Sequence, residues 1–201
     1  MKSSIAAGIV GLSLVAGVGV AYAVDTVQGT GNGTTTTPTR TPSAQPTPTL
    51  AGPITPGAVA PVRAGMSIAD AVATGYVERD TGRGAVCVGD FYRWSAPNTA
   101  GLDLVTSGGT ISAIGIHSSR YRTADGVGVG SRLSEIRAAY PSGRIKVTSD
   151  YGQPGILVHE GDKWLGFLFG DATSATLNTS SMVTFAEVSQ GARPGLLRDG
   201  C

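Results

Sequence analysis

A histidine next to carboxylates is the first arrangement in this sequence that could move a proton or hold a cation. His159, Glu160 and Asp162 lie close together, and imidazole and carboxylate groups are common general acids and bases. Glu160-Gly161-Asp162 also has the composition of a hairpin turn, and a solvated turn is the interpretation that we favour. The second histidine, His117, ends an apolar run and is expected to be a hydrogen-bonded strand terminus.

No nucleophile motif or metal-ligand spacing completes a catalytic set. The strings VGSRL and HSSRY lack the strand-turn-helix frame of a G-x-S-x-G elbow, and two Cys with two distant His lack the spacing of a zinc site. Asp70 and Glu135 lie in the first turns of predicted helices, where a carboxylate complements the helix dipole. The sequence therefore predicts no catalytic residue, metal or cofactor, and an enzyme is the less favoured class.

Aromatic side chains are the candidates for a binding surface. Tyr92 and Trp94 alternate on one face of DFYRW with Arg93 opposite, Tyr151 lies in the turn-rich SDYGQPG, and Trp164 lies in KWLGFLF. Aromatic groups near Arg are enriched at recognition hot spots, and loops often carry recognition residues. Core packing is the alternative for the strand aromatics.

The N-terminus predicts export. Lys2 precedes an apolar run from Ile5 to Val20, and Ala21-Tyr22-Ala23 fits the cleavage site of a signal peptide over residues 1–23. An uncleaved anchor is the alternative, although the run is barely long enough to span a bilayer. We expect a secreted or extracellular protein, or one associated with the cell wall, that does not insert into the membrane after cleavage.

Charge argues against nucleic acid as a partner. Removal of Lys2 leaves equal numbers of basic and acidic side chains, so the mature chain lacks the positive field that steers proteins to phosphate backbones. The expected partner is a protein or a component of the cell envelope.

Cys87 and Cys201 are the only cysteines. An exported chain leaves the reducing cytoplasm, so an intramolecular disulfide between them is the default expectation. Chain-entropy arguments value such a long closed loop at roughly 4 to 5 kcal/mol. A free thiol or an intermolecular bridge is the alternative.

Composition divides the remaining chain in two. Residues 24–61 are rich in Thr, Pro and Gly, which predicts a disordered, polyproline-like linker. Residues 62–201 have the length of one domain. The stretches GMSIADAVATGY and GSRLSEIRAAYP both predict a short amphipathic helix, with Ser67 and Ser131 as N-caps.

Each predicted helix is followed by short strand-like runs separated by turns. Ile68, Ala71 and Val72 form the apolar face of the first helix, and Leu133, Ile136 and Tyr140 form that of the second. We therefore expect an α+β fold built from two tandem repeats, about 62–122 and 123–201. Two independent helix-hairpin units are the alternative explanation.

The segments VRAGMSIADA, TADGVGVGSRLSEIRAAYP and a terminal DGC resemble a group of actinobacterial exported proteins of unknown function. The likeness covers roughly residues 55–201 and is most specific over 123–141; these proteins have cysteines that match Cys87 and Cys201. The repeat is also similar in architecture to β-lactamase inhibitory proteins and small outer-membrane assembly lipoproteins. Relatives often carry a His-Tyr pair where this chain has Gly155-Ile156, so any role of that pair is not expected here.

These expectations favour a secreted or envelope-associated module that binds or inhibits another macromolecule without catalysis. An exported hydrolase with an unrecognised site and a structural envelope protein are the alternatives, because fold alone does not settle function.

Overall fold

The structure is a computed structural model that describes residues 52–82, 91–95, 97–142, 145–150 and 152–196. Two short helices, α1 (Ile68–Ala73) and α2 (Leu133–Ala139), each precede a run of strands. In chain order the strands are β1 (Ile54–Thr55), β2 (Ala58–Val59), β3 (Val62–Arg63), β4 (Val77–Arg79), β5 (Tyr92–Trp94), β6 (Leu102–Ser107), β7 (Thr110–Ile116), β8 (Ile145–Asp150), β9 (Gln153–Glu160), β10 (Lys163–Leu168) and β11 (Phe185–Gln190).

The main sheet has six strands in the order β6-β7-β11-β10-β9-β8, and each neighbouring pair is antiparallel. Strands β1 to β3 form a small antiparallel sheet, and β4 pairs with β5. Short helices beside antiparallel sheets make an α+β architecture. The α+β class predicted from the sequence is therefore confirmed.

Glycine residues form two hairpin turns in the main sheet, at the two places where Ser107-Gly108-Gly109 and Glu160-Gly161-Asp162 predict hairpin connectors from the sequence. Gly108 and Gly109 join β6 to β7 with φ of 57° and 78°, as the mirror-image turn of a two-residue hairpin requires. Gly161, with φ of 62°, begins the turn between β9 and β10. Both predicted connectors are confirmed.

The main sheet packs one face, which we call the inner face, against the helices. Side chains alternate between the two faces of each strand. Leu165 and Phe167 of β10 share one hydrophobic core with Leu133 and Ile136 of α2 and with Ala71 of α1. Alternation in KWLGFLF, with Leu165 and Phe167 on one face and Trp164 on the other, predicts this core face correctly. The opposite face, which we call the outer face, carries Leu157, His159, Trp164, Leu168, Phe185, Glu187 and Ser189, and, towards β6, Asp103 and His117.

Helix α1 begins as predicted. The Ser67 hydroxyl accepts a hydrogen bond from the Asp70 N–H (3.1 Å) and donates one to the Asp70 carboxylate (2.7 Å), so an otherwise unpaired N–H of the first turn is satisfied. The helix ends at Ala73, followed by Gly75 with φ of 76°. Val72 is 43% exposed, which corrects its assignment to the apolar face; in so short a helix, only Ala71 is fully buried.

The prediction of Ser131 as the N-cap of α2 is wrong. The N-cap is Arg132, and its N–H donates to the Glu135 carboxylate over 2.6 Å. Ser131 is buried, and its hydroxyl accepts hydrogen bonds from the Gly128 N–H (3.1 Å) and from Arg122 Nη1 (2.8 Å). The hydroxyl stabilises the preceding loop, so the helix begins one residue later.

Matching backbone hydrogen bonds attach the start of each helix to a strand. Gly65 donates to the Ile111 carbonyl over 2.7 Å, and Gly130 donates to the Val183 carbonyl over 2.7 Å. In each case the acceptor residue donates back, over 2.9 Å, to the residue after the glycine. Both glycines have positive φ, 80° and 86°, which a side chain would strain.

The folded part begins earlier than the predicted boundary at residue 62. Strands β1 and β2 lie within the predicted linker, and Ile54 and Val59 are only 2% and 3% exposed. Composition led to the linker assignment, but these two apolar side chains complete the core. The final part of the predicted linker is therefore folded.

Alternation in TISAIGIHS predicts Ile111 and Ala113 on one face of the strand and Ile114 and Ile116 on the other, but a β-bulge changes this pattern. The register of β6 against β7 shifts between Val105 and Thr106, and Ile111 joins Ile114 and Ile116 in the same core. Since a bulge adds one residue to a strand, the predicted grouping of Ile111 with the opposite face is wrong.

Several predictions concern residues outside the described ranges. They are the signal peptide, most of the linker, Cys87, Tyr151 and Cys201. In the ranges that the structure describes, no helix is both long enough and apolar enough to cross a bilayer.

Candidate functional site

The outer face is the candidate site because it combines exposed polar groups with buried ones on rigid strands. At its β6 edge, the His117 Nε2 lies 2.5 Å from Asp103 Oδ2. The two side chains are 35% and 46% exposed. The His117 ring also contacts the Phe185 ring, with centroids 4.8 Å apart. The His117 ring is therefore held in place by the Asp103 carboxylate and the Phe185 ring. The His117–Asp103 pair remains accessible to a partner.

A buried carboxylate lies on the strand next to this pair. Glu187 of β11 is only 8% exposed, between Gly115 of β7 and Gly166 of β10 in the register of the sheet. Its oxygens accept hydrogen bonds from the backbone N–H groups of Gly195 (3.3 Å) and Leu196 (2.6 Å). Burial of a carboxylate is costly unless it is hydrogen bonded, and these two donors contribute to that compensation.

The segment that supplies the donors crosses the outer face, and we call residues 192–196 the strap. The Ser189 hydroxyl donates to the Ala192 carbonyl over 2.7 Å at its start. At its end, Leu196 is 4% exposed and packs with Leu157, Leu168 and Phe185. The strap therefore covers part of the outer face with a second, smaller core.

Gly166 makes room for the strap. A Cβ built at this position would lie 2.8 Å from Leu196 Cδ2 and 3.2 Å from the Pro194 Cβ. Real Cβ atoms essentially never come as close as the first distance, and the second is tighter than most Cβ contacts. A side chain in β10 at this point would therefore displace the strap from its present packing.

His159 and Trp164 lie at the β9–β10 end of the same face. They are cross-strand neighbours, and their rings are 4.7 Å apart. The His159 Nδ1 atom is buried and makes no hydrogen bond within the described part of the chain. His159 is thus a strand residue stacked on Trp164, which differs from the solvated turn that we favour from the sequence.

The aromatic residues predicted to bind a partner lie in different environments. Trp94 is 9% exposed and belongs to the main core, and Tyr92 packs against that core; this placement corresponds to the packing alternative left open for them. Trp164 is half-buried on the outer face beside the second core. Tyr151 lies outside the described residues. Of the predicted aromatics, Trp164 thus lies on the face that carries the polar groups.

A separate polar cleft of about 530 Å³ lies beside the loop that leads into α2. Arg122 crosses it and donates to the Ser119 carbonyl (2.9 Å), the Gly126 carbonyl (3.4 Å) and the Ser131 hydroxyl (2.8 Å). These bonds hold the loop together, so the role of Arg122 is structural.

Tyr121 precedes Arg122 in the chain. Burial raises the pKa of Tyr121 above its ordinary value, and the positive charge and hydrogen bond of Arg120 partly offset this increase.

The key residues of the outer face escape prediction from sequence because their partners are distant in the chain. Nothing local distinguishes Glu187 in TFAEVSQ from an exposed strand carboxylate. The signal that could have revealed it is alternation, since the inner face of β11 requires Ala186 and Val188 and leaves Glu187 on the opposite side.

Within the described ranges, no group of three or more His, Cys, Asp or Glu side chains is placed to hold a metal ion.

Comparison with known proteins adds little. No protein-family model matches the chain, and no curated protein matches it at a significant level. Among solved structures, the chain is similar to the crystal structure of the uncharacterized protein yfeY from Escherichia coli, with a TM-score of 0.40 and 16% identity over 64% of this chain and 93% of that one. A TM-score this low carries no argument, so the proposals rest on the residues of this chain.

Proposed function

We propose that the protein is an exported or envelope-associated module that binds another protein through its outer face and performs no catalysis. The observation that carries this proposal is that α1 and α2 pack on only the inner face of the main sheet. Its inner face packs against both helices, whereas the outer face presents the exposed His117–Asp103 pair and Val105, which is 45% exposed. Rigid strands that present mixed polar and apolar side chains suit recognition.

The same residues favour binding over hydrolysis. A histidine-dependent hydrolase needs a nucleophile within hydrogen-bond reach of the histidine. Among the described side chains, the hydrogen bond of His117 is to Asp103, and no hydroxyl donates to its ring. The His117–Asp103 pair is better suited to a charged contact at the edge of a protein interface, where such groups set orientation and association rate.

Export and a disulfide are part of the same proposal. Export rests on the signal peptide predicted over residues 1–23, and the disulfide joins Cys87 to Cys201. The thiol that ends the chain would then be tied to a position far away in sequence, as in many secreted domains.

The intact mass of the exported protein, with and without reductant, tests both. We expect a chain that begins at Val24 and gains the mass of two hydrogen atoms upon reduction. A mass that retains residues 1–23, or that is unchanged by reductant, would contradict export with cleavage or the disulfide, respectively.

We further propose that the two halves, 62–122 and 123–201, arose by duplication. In the described ranges, each half contains a glycine of positive φ, then a short helix and then four strands, β4–β7 or β8–β11, and in the first half β3 precedes this unit. The attachment bonds of Gly65 and Gly130 correspond donor for donor. These correspondences support a common origin better than two unrelated helix openings would.

The pairing between β7 and β11 also supports duplication. Ile116 lies opposite Ala186, and Ile114 lies opposite Val188. The attachment bonds make Ile111 of the first half equivalent to Val183 of the second. With the same offset, Ile114 corresponds to Ala186 and Ile116 to Val188, so a two-fold exchange of the halves turns each of these pairs into the other. A tandem repeat that folds back on itself produces this pattern.

Amide hydrogen exchange tests the correspondence between the halves. We expect the Gly65 and Gly130 amides to be protected to a similar degree, because they make equivalent bonds to the strands. An unprotected amide at either position would remove this support for duplication.

Site-specific photo-crosslinking tests the binding surface. A photoreactive residue at Val105, on the outer face, should crosslink to a discrete partner in the compartment to which the protein is exported. The matched control is Val72, which is 43% exposed but lies on α1. Equal capture from both positions, or capture only from Val72, would refute binding through the outer face.

A further inference from the structure

The strap shows what kind of molecule the outer face can hold. It brings two successive backbone N–H groups to the Glu187 carboxylate, over 3.3 Å and 2.6 Å. It also packs one branched aliphatic side chain, Leu196, in a buried cluster with Leu157, Leu168 and Phe185. Backbone donors together with an apolar anchor are also the features by which protein grooves bind peptide segments.

The end of the strap is held in a strained conformation. Leu196 has φ of 54°, and it is the one non-glycine residue with positive φ in the described ranges. A bulky side chain disfavours this left-handed region because its Cβ approaches the backbone. Such strain persists only where surrounding contacts impose it, and it occurs often at ligand contacts and switch regions.

We propose that the groove over Gly166 and Glu187 is the peptide-binding site of the module and that the strap is its built-in competitor. The occupant that displaces the strap is an extended segment of a partner protein with two consecutive free backbone N–H groups, the second of which belongs to a residue with a branched aliphatic side chain. This inference rests on the proposed function, since it names the part of the outer face that the partner enters.

Charge complementarity favours a segment of this kind. The central group of the groove is a buried carboxylate, so a ligand must bring hydrogen-bond donors, and an anionic segment would be repelled. A side chain on β10 would fill the groove, but Gly166 leaves space for an apolar anchor. Leu157, Leu168 and Phe185 form the apolar walls around that space.

The position of the strap explains why it would compete effectively. It directly follows β11, and the Ser189 hydroxyl holds its first carbonyl in place. A segment tethered so closely has an effective concentration on the order of millimolar. A partner segment must therefore bind better than the strained strap, which restricts the site to partners of matching chemistry.

Peptide binding to the full mature chain tests the proposal. The probe is a fluorescein-labelled, amidated peptide with the sequence of residues 191–197, and binding is followed by anisotropy. The Leu196→Ser variant, whose strap lacks its anchor, should bind the probe at least about tenfold more tightly than the wild type, because the competitor is weakened. The matched control variant is Met182→Ser, which removes an apolar side chain that is 53% exposed and should bind like the wild type.

A second peptide, with Ser at the position of Leu196, checks that the anchor matters, and it should bind the Leu196→Ser variant at least about tenfold more weakly. Far-UV circular dichroism and cooperative urea unfolding establish that each variant is folded. If Leu196→Ser does not fold, Leu196→Ala replaces it under the same criteria.

Absence of probe binding by the folded variant, or equal binding of both peptides, would overturn the proposal. The crosslinking result at Val105 separates this failure from that of the proposed function. A partner captured at Val105 without peptide binding would leave the binding module intact and refute the strap as its competitor. Increased capture in the Leu196→Ser variant would support both.

Discussion

The structure of the outer face depends on the hydrogen bonds between Glu187 and the strap. A carboxylate that is 8% exposed in the middle of a sheet destabilises the fold unless donors reach it. The donors come from residues 195 and 196, so the position of Glu187 constrains the path of the strap. Because the strap follows that path, the second core forms beneath it.

The central position of β11 explains why this one residue has so much influence. Strand β11 pairs with β7 on one side and with β10 on the other, so it joins the strands of the first half of the chain to those of the second. Its inner face contributes Ala186 and Val188 to the main core, while its outer face carries Phe185, Glu187 and Ser189. Packing and the candidate binding surface are therefore coupled through a single strand.

Local patterns in the sequence predict much of the fold. Alternation predicts the core face of β10, turns that contain glycine predict the hairpins, and Ser67 with Asp70 predicts the start of α1. The α+β class follows because these signals depend on neighbours within a few residues.

The features that the sequence does not predict depend on contacts between distant residues. The Ser131 hydroxyl accepts a hydrogen bond from Arg122 and does not cap the helix. Strands β1 and β2 are part of the fold because Ile54 and Val59 pack in the main core. The site is harder to predict for the same reason. Of the aromatic candidates, Trp164 lies on the outer face, whereas the pairing of His117 with Asp103 and the role of Glu187 emerge only when the strands are aligned.

Amide exchange at Leu196, compared between the wild type and the Glu187→Gln variant, tests the central claim most directly. We expect a protected Leu196 amide in the wild type. In the Glu187→Gln variant, the Leu196 amide should exchange at least about tenfold faster, and the free energy of unfolding should fall by about 1.5 to 3 kcal/mol, as expected for a lost hydrogen bond to a charged group. The matched variant Glu135→Gln, which alters an exposed bond at the start of α2, should leave the Leu196 amide protected. A Leu196 amide that exchanges like an unstructured peptide, or that is unaffected by Glu187→Gln, would contradict the claim that Glu187 holds the strap on the outer face.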